Sequence, residues 1–347
     1  MIRFDSDYTE GAHPLILGKL IETNLLQTVG YGEDEFCEKA REYIKQAIGT
    51  QDAQVHFLVG GTQTNTTVIA AALRPHQGVL SAETGHINVH ETGAIESVNH
   101  KVLTLASTDG KISAQQVRNY VDQHFADESF EHIVQPKMVY ISHPTELGTL
   151  YSEEELKALH EVCKEKGLYL YVDGARLAYG LAADGATVTL PLLAKYSDAF
   201  YIGGTKVGAL FGEAVVLINP IIMQDFRYIL KQNGGMLAKG RLLGIQFMTM
   251  FEDNLYYQMG EHGILMANKL RKGLKDLDLL FLIDSPTNQI FPILDDETIE
   301  ALRADYGFAY QKRVDDTHSA IRFCTSWITQ EEDIDALILS IKNLVKG

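Results

Sequence analysis

Cysteine is scarce in this chain. Cys37, Cys163 and Cys324 stand far apart, with no C-x-x-C spacing. Neither a disulfide framework nor a thiolate metal site is therefore expected, and a reduced, cytoplasmic setting fits. Positive charge is also short: 30 Lys and Arg face 46 Asp and Glu, for a net charge of −16. Such a surface repels phosphate backbones and anionic lipid, so neither nucleic acid nor membrane is an expected partner. No uncharged apolar run approaches the roughly 18 residues that a membrane span needs. The opening Met1-Ile2-Arg3-Phe4-Asp5-Ser6-Asp7 has no apolar run behind basic residues, so no signal peptide is expected. What the chain has in quantity is apolar residues, 46% of 347, enough for a large core split over two domains.

The apolar residues are patterned. Leu15, Leu17, Leu20, Ile21 and Leu25 have helical spacing, as do Phe36, Ala40, Tyr43, Ile44 and Ala47. Strands are predicted at 54–59, 98–105, 137–142, 168–173, 198–202 and 213–219, and helices at 62–73, 113–125, 152–166 and 176–183. Ser152 with Glu155 three residues on reads as a capping box. Alternation of this kind predicts an α/β fold with a mostly parallel sheet between helices. From about 220 the pattern changes. A long helical region over roughly 221–275 leads to apparent strands at 279–284, 289–294 and 307–324, and to an amphipathic helix at about 330–345. That is the expected smaller α+β domain. The division expected is 13–245 for the large domain, with 1–12 and 246–347 forming the small one.

Five places carry chemistry. Gly60-Gly61-Thr62-Gln63-Thr64-Asn65 joins a strand to a helix. Free backbone N–H groups at a helix start, with the threonine hydroxyls, make a phosphate cradle. An ordinary glycine turn has the same letters, and neither a dinucleotide fingerprint nor a Walker loop is present. His86 and His90 are four apart, a metal-ligand spacing on a helix, but no H-E-x-x-H and no further ligand pair completes a set. No metal is expected; the other role for His86 is to stack on a cofactor ring or move protons beside it. Asp173 ends the apolar Tyr169-Leu170-Tyr171-Val172. A carboxylate there wants a cation, either Arg176 on the next turn or a protonated pyridine nitrogen. Lys206 follows Gly203-Gly204-Thr205, thirty-three positions later. Small neighbours admit a bulky ring and desolvate the amine, which lowers its pKa toward the nucleophilic form. Together, Asp173 and Lys206 match the way pyridoxal 5'-phosphate (PLP) is held: a lysine that condenses with its aldehyde and an acid that keeps its ring electron-poor. Arg322 sits in the alternating strand Ala320-Ile321-Arg322-Phe323 and wants a carboxylate, from a salt bridge or from a substrate.

With these residues laid out, the chain resembles the low-specificity threonine aldolases, within the beta-eliminating lyases of the aspartate-aminotransferase-like (type I) PLP fold. The resemblance runs over nearly the whole length. Phe4-Asp5-Ser6-Asp7 resembles the family's R-S-D-T, Gly61-Thr62-Gln63-Thr64-Asn65 its G-T-x-x-N, and His86-Ile87 with Glu91-Thr92-Gly93 its H-I…E-x-G. Ser142-His143 with Gly148 resembles its N-T-H-N…G-G loop. Asp173-Gly174-Ala175-Arg176 resembles D-G-A-R, and Thr205-Lys206 with Gly208-Ala209 resembles S-K-G-x-G-A. The likeness implies a seven-stranded large domain. It implies Lys206, His86, Asp173 and His143 as catalytic, and Gly61, Thr62, Asn65, Arg176 and Thr205 as further cofactor ligands. Ser6, Arg176 and Arg322 would bind the substrate carboxylate. The sequence departs from the pattern at Tyr8-Thr9-Glu10-Gly11-Ala12-His13-Pro14 and at Pro144-Thr145-Glu146-Leu147. It departs again at Gly234-Gly235-Met236-Leu237-Ala238-Lys239-Gly240-Arg241, where Lys239 or Arg241 stands in for an arginine that reaches a neighbouring subunit's phosphate.

The resemblance implies cleavage of threonine or allo-threonine to glycine and acetaldehyde. One rival is elimination of a β-leaving group from another amino acid, giving a keto acid and ammonia. A rival of another class is a non-catalytic scaffold on the same fold. An amino acid substrate and a homodimer or homotetramer are the implied partners.

Overall fold

The computed structural model describes residues 1–345. Its strands, in chain order, are β1 (Ile2–Arg3), β2 (Gln54–Leu58), β3 (Gln77–Ala82), β4 (Val102–Leu105), β5 (Gln135–Ser142), β6 (Tyr169–Asp173), β7 (Ala199–Gly203) and β8 (Glu213–Leu217), then β9 (Gln289–Ile290), β10 (Ile293–Asp295), β11 (Tyr306–Gly307), β12 (Ala309–Arg313) and β13 (His318–Cys324). Strands β2 to β8 form one seven-stranded sheet in the order β2-β8-β7-β6-β5-β3-β4. Pairings from β4 through β7 are parallel, and β8 runs antiparallel to both β7 and β2. The expected mostly parallel sheet is present. It is covered on both faces, which is why β6, β7 and β8 are apolar without alternation.

Two apolar clusters line the faces of this sheet. A third joins Phe4 near the start of the chain to Leu270, Leu274, Ile321, Phe323, Ile334 and Leu337 near its end. The helix Leu255–Lys275 bridges the cores: Tyr256, Met259 and Ile264 pack with the main core, Met266, Ala267 and Leu270 with the third. The first residues also pair with the end of the chain, because β1 runs parallel to β11 with Ile2 opposite Tyr306. Ser152 and Glu155 do form the capping box, each satisfying the other's backbone N–H, an arrangement worth about 1 kcal/mol.

Four expectations need revision. The strand β3, which lies between β5 and the edge strand β4, is not predicted. Its Gln77-Gly78-Val79-Leu80-Ser81-Ala82 is short in large apolar residues, because Lys101 and Val134 press so closely on Gly78 that a Cβ there would sit 2.7 Å from the Lys101 carbonyl oxygen. The strand predicted at 98–105 begins only at Val102, since Asn99 is left-handed (φ 70°) and closes the preceding turn. The long helical region is four helices, broken at Asp225, Gly234, Asp253 and Asn254, all with positive φ; Asp, Asn and Gly tolerate that conformation best. The segment 279–284 makes one isolated bridge, Phe281 to Pro292, and no strand.

Candidate active site

Loops at the carboxyl ends of parallel strands are where α/β sheets hold ligands, because helix starts and strand ends open a crevice there. Here β5, β6 and β7 end together: Ser142 lies opposite Asp173, and β7 turns at Gly203 into Gly204-Thr205-Lys206. A cavity of about 290 Å³ opens at these ends, the lower edge of the roughly 300–1,000 Å³ usual for small-molecule sites. Lys206 and Asp173 both line it, with Gly61, Thr62, His86, Arg176 and Thr205 from the sequence-predicted set.

The Asp173 carboxylate is 4% exposed and ringed by donors. Tyr201 and Ala175 N–H donate to Oδ1 at 2.6 and 3.0 Å; Tyr140 and the Asn65 amide donate to Oδ2 at 2.6 and 3.3 Å. Burial, then the charge of Asp173, pushes both phenols well above the usual tyrosine range, so they stay donors. Asn65 does not line the cavity. Fully buried, it spans Glu91 (2.7 Å) and Asp173, and accepts from Tyr171 at 2.8 Å. Arg176 is not the partner of Asp173. Its Nε and one Nη donate to Asp7 at 2.7 and 3.0 Å, and Asn288 adds a third bond to that carboxylate at 2.9 Å. Burial pushes Asp7 up, yet Arg176, Lys206 and Asn288 together outweigh it and hold the carboxyl below its ordinary value.

Lys206 feels burial first and then the Arg176 charge, and both push its amine below the usual lysine range; Asp7, Asp173 and Glu213 oppose them. The exposed Tyr8 ring lies 6.0 Å from its Nζ. Gly60, which caps the helix Gly61–Ala72, offers no side chain to the first turn, and Gly60, Gly61 and Thr62 line the cavity with no side-chain cap on that turn. A Cβ at Gly204 would come 2.7 Å from the Gly212 carbonyl oxygen, so that position demands glycine, and one at Gly61 would come 3.1 Å from the Tyr201 hydroxyl, which would have to give way. His86 Nδ1 is held at 2.9 Å by Glu91, whose side chain is fully buried, which fixes the ring at the cavity wall. No group of three metal-ligating side chains occurs among the described residues. Neutral-prone amine, ringed carboxylate, uncapped helix start and tethered imidazole together fit PLP.

Besides Asn65, three predicted residues stand back from the cavity wall. His143 is 2% exposed, both ring nitrogens lack partners, and burial lowers its pKa to about 4. Ser6 is buried one position before Asp7. Arg322 donates to Gln289 and to the Asp5 carbonyl oxygen, at 3.1 and 3.0 Å, with Nε buried and unpartnered. Arg241 donates to the carbonyls of Leu26 and Asn24, and Lys239 is exposed.

Two acids that the sequence reading passes over do line the cavity. Glu146 accepts from His86 N–H at 2.9 Å and from Ser142 Oγ at 2.6 Å, and burial raises its pKa. Glu213 accepts from Thr205 Oγ1 at 2.9 Å and Gly204 N–H at 3.1 Å. Glu146 was within reach of the sequence, since it lies where the loop leaves the family pattern. Glu213 has no sequence signal beyond an acid opening an apolar strand.

The fold recurs in known proteins. The family model described as beta-eliminating lyase matches residues 14–297. The low specificity L-threonine aldolase of Pseudomonas aeruginosa is 31% identical over 350 residues, 99% of this chain and 98% of its own. A threonine aldolase of Leishmania major superposes with a TM-score of 0.97 at 41% identity, covering 99% of this chain and all of that one. A Thermus thermophilus aspartate aminotransferase variant superposes at 0.73 with 14% identity, over 99% and 91% of the two chains, a likeness of fold alone. Similarity of that length, on the aspartate-aminotransferase-like fold, makes this protein a PLP-dependent-type lyase of the beta-eliminating lyase family.

Proposed function

We propose that the cavity holds PLP and that the protein cleaves the Cα–Cβ bond of threonine or allo-threonine to glycine and acetaldehyde. The observation that carries this reading is the meeting of Lys206 and Asp173 in one cavity, on a chain 41% identical to a threonine aldolase. When bound, PLP supplies an aldehyde for an amine to capture and a ring that draws electrons from Cα. Lys206, its amine biased toward neutrality, is the capturing group. Asp173 is the acid for the pyridine nitrogen, and its four protein donors keep it aimed. The first-turn N–H groups at Gly61 and Thr62 take the phosphate, with Thr205, whose hydroxyl proton is donated to Glu213, beside them.

His86, oriented by Glu91, would pack against the cofactor ring. Arg176 is committed to Asp7 through Nε and one Nη; the remaining Nη meets the substrate carboxylate, with Arg322 and Ser6 behind it. Glu146 is the acceptor for the β-hydroxyl proton. It lines the cavity beside His86, and a carboxyl with a raised pKa is the better base near neutrality. His143, enclosed and neutral, supports the wall.

The protein works as a homodimer or homotetramer on this reading. Leu15, Leu17, Ile21, Leu25, Leu26 and Val29 are 40–92% exposed in one stretch, although their spacing reads as a core face; a patch of that kind marks an interface. Light scattering on the eluting protein tests this, and a monomer would refute it. No helix among the described residues is long and apolar enough to cross a membrane.

The activity is tested by supplying L-threonine and L-allo-threonine to the PLP-loaded enzyme. Acetaldehyde and glycine in equal amounts are expected. Keto acid and ammonia in their place would overturn the assignment in favour of β-elimination.

A further inference from the structure

Glu213 opens β8 and is 4% exposed. In register it lies opposite Leu58 of β2 on one side and Gly203 of β7 on the other. Each of those strands ends there. The loops that follow, Val59–Thr62 and Gly204–Lys206, therefore flank the Glu213 side chain. Its oxygens accept from Thr205 Oγ1 and Gly204 N–H, and it faces the cavity with Gly60, Gly61 and Thr62. These are the groups assigned above to phosphate. A carboxylate thus stands at the edge of a pocket meant for a dianion.

Nothing nearby cancels it. The charged and titratable groups around Glu213 are Lys206 on the turn, Asp173 at the end of β6, and the phenols of Tyr171, Tyr201 and Tyr256. Lys206 is the cation of that group, and its amine is needed uncharged. Two negative groups in one enclosed site disfavour each other strongly, and the cheaper resolution is for one to take a proton.

We propose that Glu213 meets the phosphate as a carboxylic acid, so that the cradle takes up a proton together with its anion. The O–H then donates where a carboxylate would repel, while Gly204 N–H still donates to the other oxygen. Glu213 is a positioning residue for the cofactor, and it sets an upper pH limit on cofactor retention. Burial, against the hydrogen bond from Thr205 and the charge of Lys206, already raises its pKa to about 8 in the empty cradle, and a bound dianion raises it further. Anion affinity should therefore be level below that pH and fall as pH rises past it.

The proposal rests on the phosphate reading of the Gly60–Thr62 turn, and the test separates the two. Sulfate stays a dianion throughout the useful range, so any proton taken up belongs to the protein. Calorimetric titration of the PLP-free protein with sulfate, in two buffers of different ionisation enthalpy, counts those protons. The expected result is uptake of about one proton per sulfate above pH 8, with affinity falling tenfold per pH unit there. Glu213→Gln, whose amide donates as the acid would, should bind sulfate with level affinity and take up none. Lys206→Met should still take up the proton. Sulfate binding without uptake in the wild type, or equal uptake in Glu213→Gln, overturns the proposal and leaves the cradle standing. Failure of PLP to displace sulfate overturns the cradle reading, and this proposal with it. Should Glu213→Gln not fold, infrared difference spectra of the wild type decide: a protonated-carboxyl C=O band must appear on sulfate binding, and its absence refutes the claim.

Discussion

Replacing Asp7 by Asn tests whether the arginine beside Lys206 depends on a residue 169 positions away. The Asp7 side chain is fully buried, and that of Arg176 is 12% exposed. Asn keeps the shape and one acceptor oxygen but leaves the guanidinium without a counter-charge. Removing one partner of a buried pair typically costs about 3–5 kcal/mol, roughly a hundred- to several-thousand-fold in the unfolding equilibrium. Removing both costs less than the sum, so Asp7→Asn with Arg176→Gln should recover about 1–3 kcal/mol of coupling. Urea unfolding of the PLP-free protein measures this through Trp327, the single tryptophan, whose ring centroid lies 5.5 Å from that of His13. Asp7 is a carboxylate held below its ordinary pKa, so its stabilisation is complete above the unfolded value, about 3.9, and is lost as pH falls through the lower folded value. The gap between wild type and variant should therefore close in acid. A second readout is chemical. Asp7 opposes the lowering of the Lys206 amine, so its loss lowers that amine further, and the pH midpoint for PLP capture should move down. A cost under about 1 kcal/mol with strictly additive single variants would refute a coupled buried pair.

Three further outcomes are expected. Lys206→Ala should lose the visible absorbance of covalently captured PLP and nearly all turnover; persistence of that absorbance would show that another amine does the work. Asp173→Asn should keep measurable PLP binding yet turn over poorly, and a near wild-type rate would exclude the ring-nitrogen role. Glu146→Gln should lower kcat by about 10² to 10⁴-fold with PLP absorbance intact, whereas His143→Asn should cost far less; the reverse ranking would return the base to His143.

Much of the site was legible because buried parallel strands are written as unbroken apolar runs, and the residues ending them are conspicuous. Asp173 and Lys206 stood out in that way, and the sheet has put them in one cavity. What stayed hidden depends on distance along the chain. The sequence offers Arg176 a carboxylate three residues away, and the fold gives it one from the amino-terminal segment. Glu213 looks like any acid opening a strand until β8 is seen between β2 and β7. The strand β3 is missed because close packing there demands small residues, which weakens the pattern by which strands are recognised. The helix Pro14–Thr23 has the spacing of a core helix but buries only Ile16 and Thr23 along its length.

The pairing of Ile2 with Tyr306 has a consequence for synthesis on the ribosome. The segment bearing Asp7 is made about 300 residues before the strand with which it pairs. Until then Arg176 has been translated and its sheet can form, yet the segment that carries its counter-ion lacks the strand pairing that fixes it beside Asn288. A nascent chain truncated before Tyr306 should therefore hold a built sheet around an unfinished pocket.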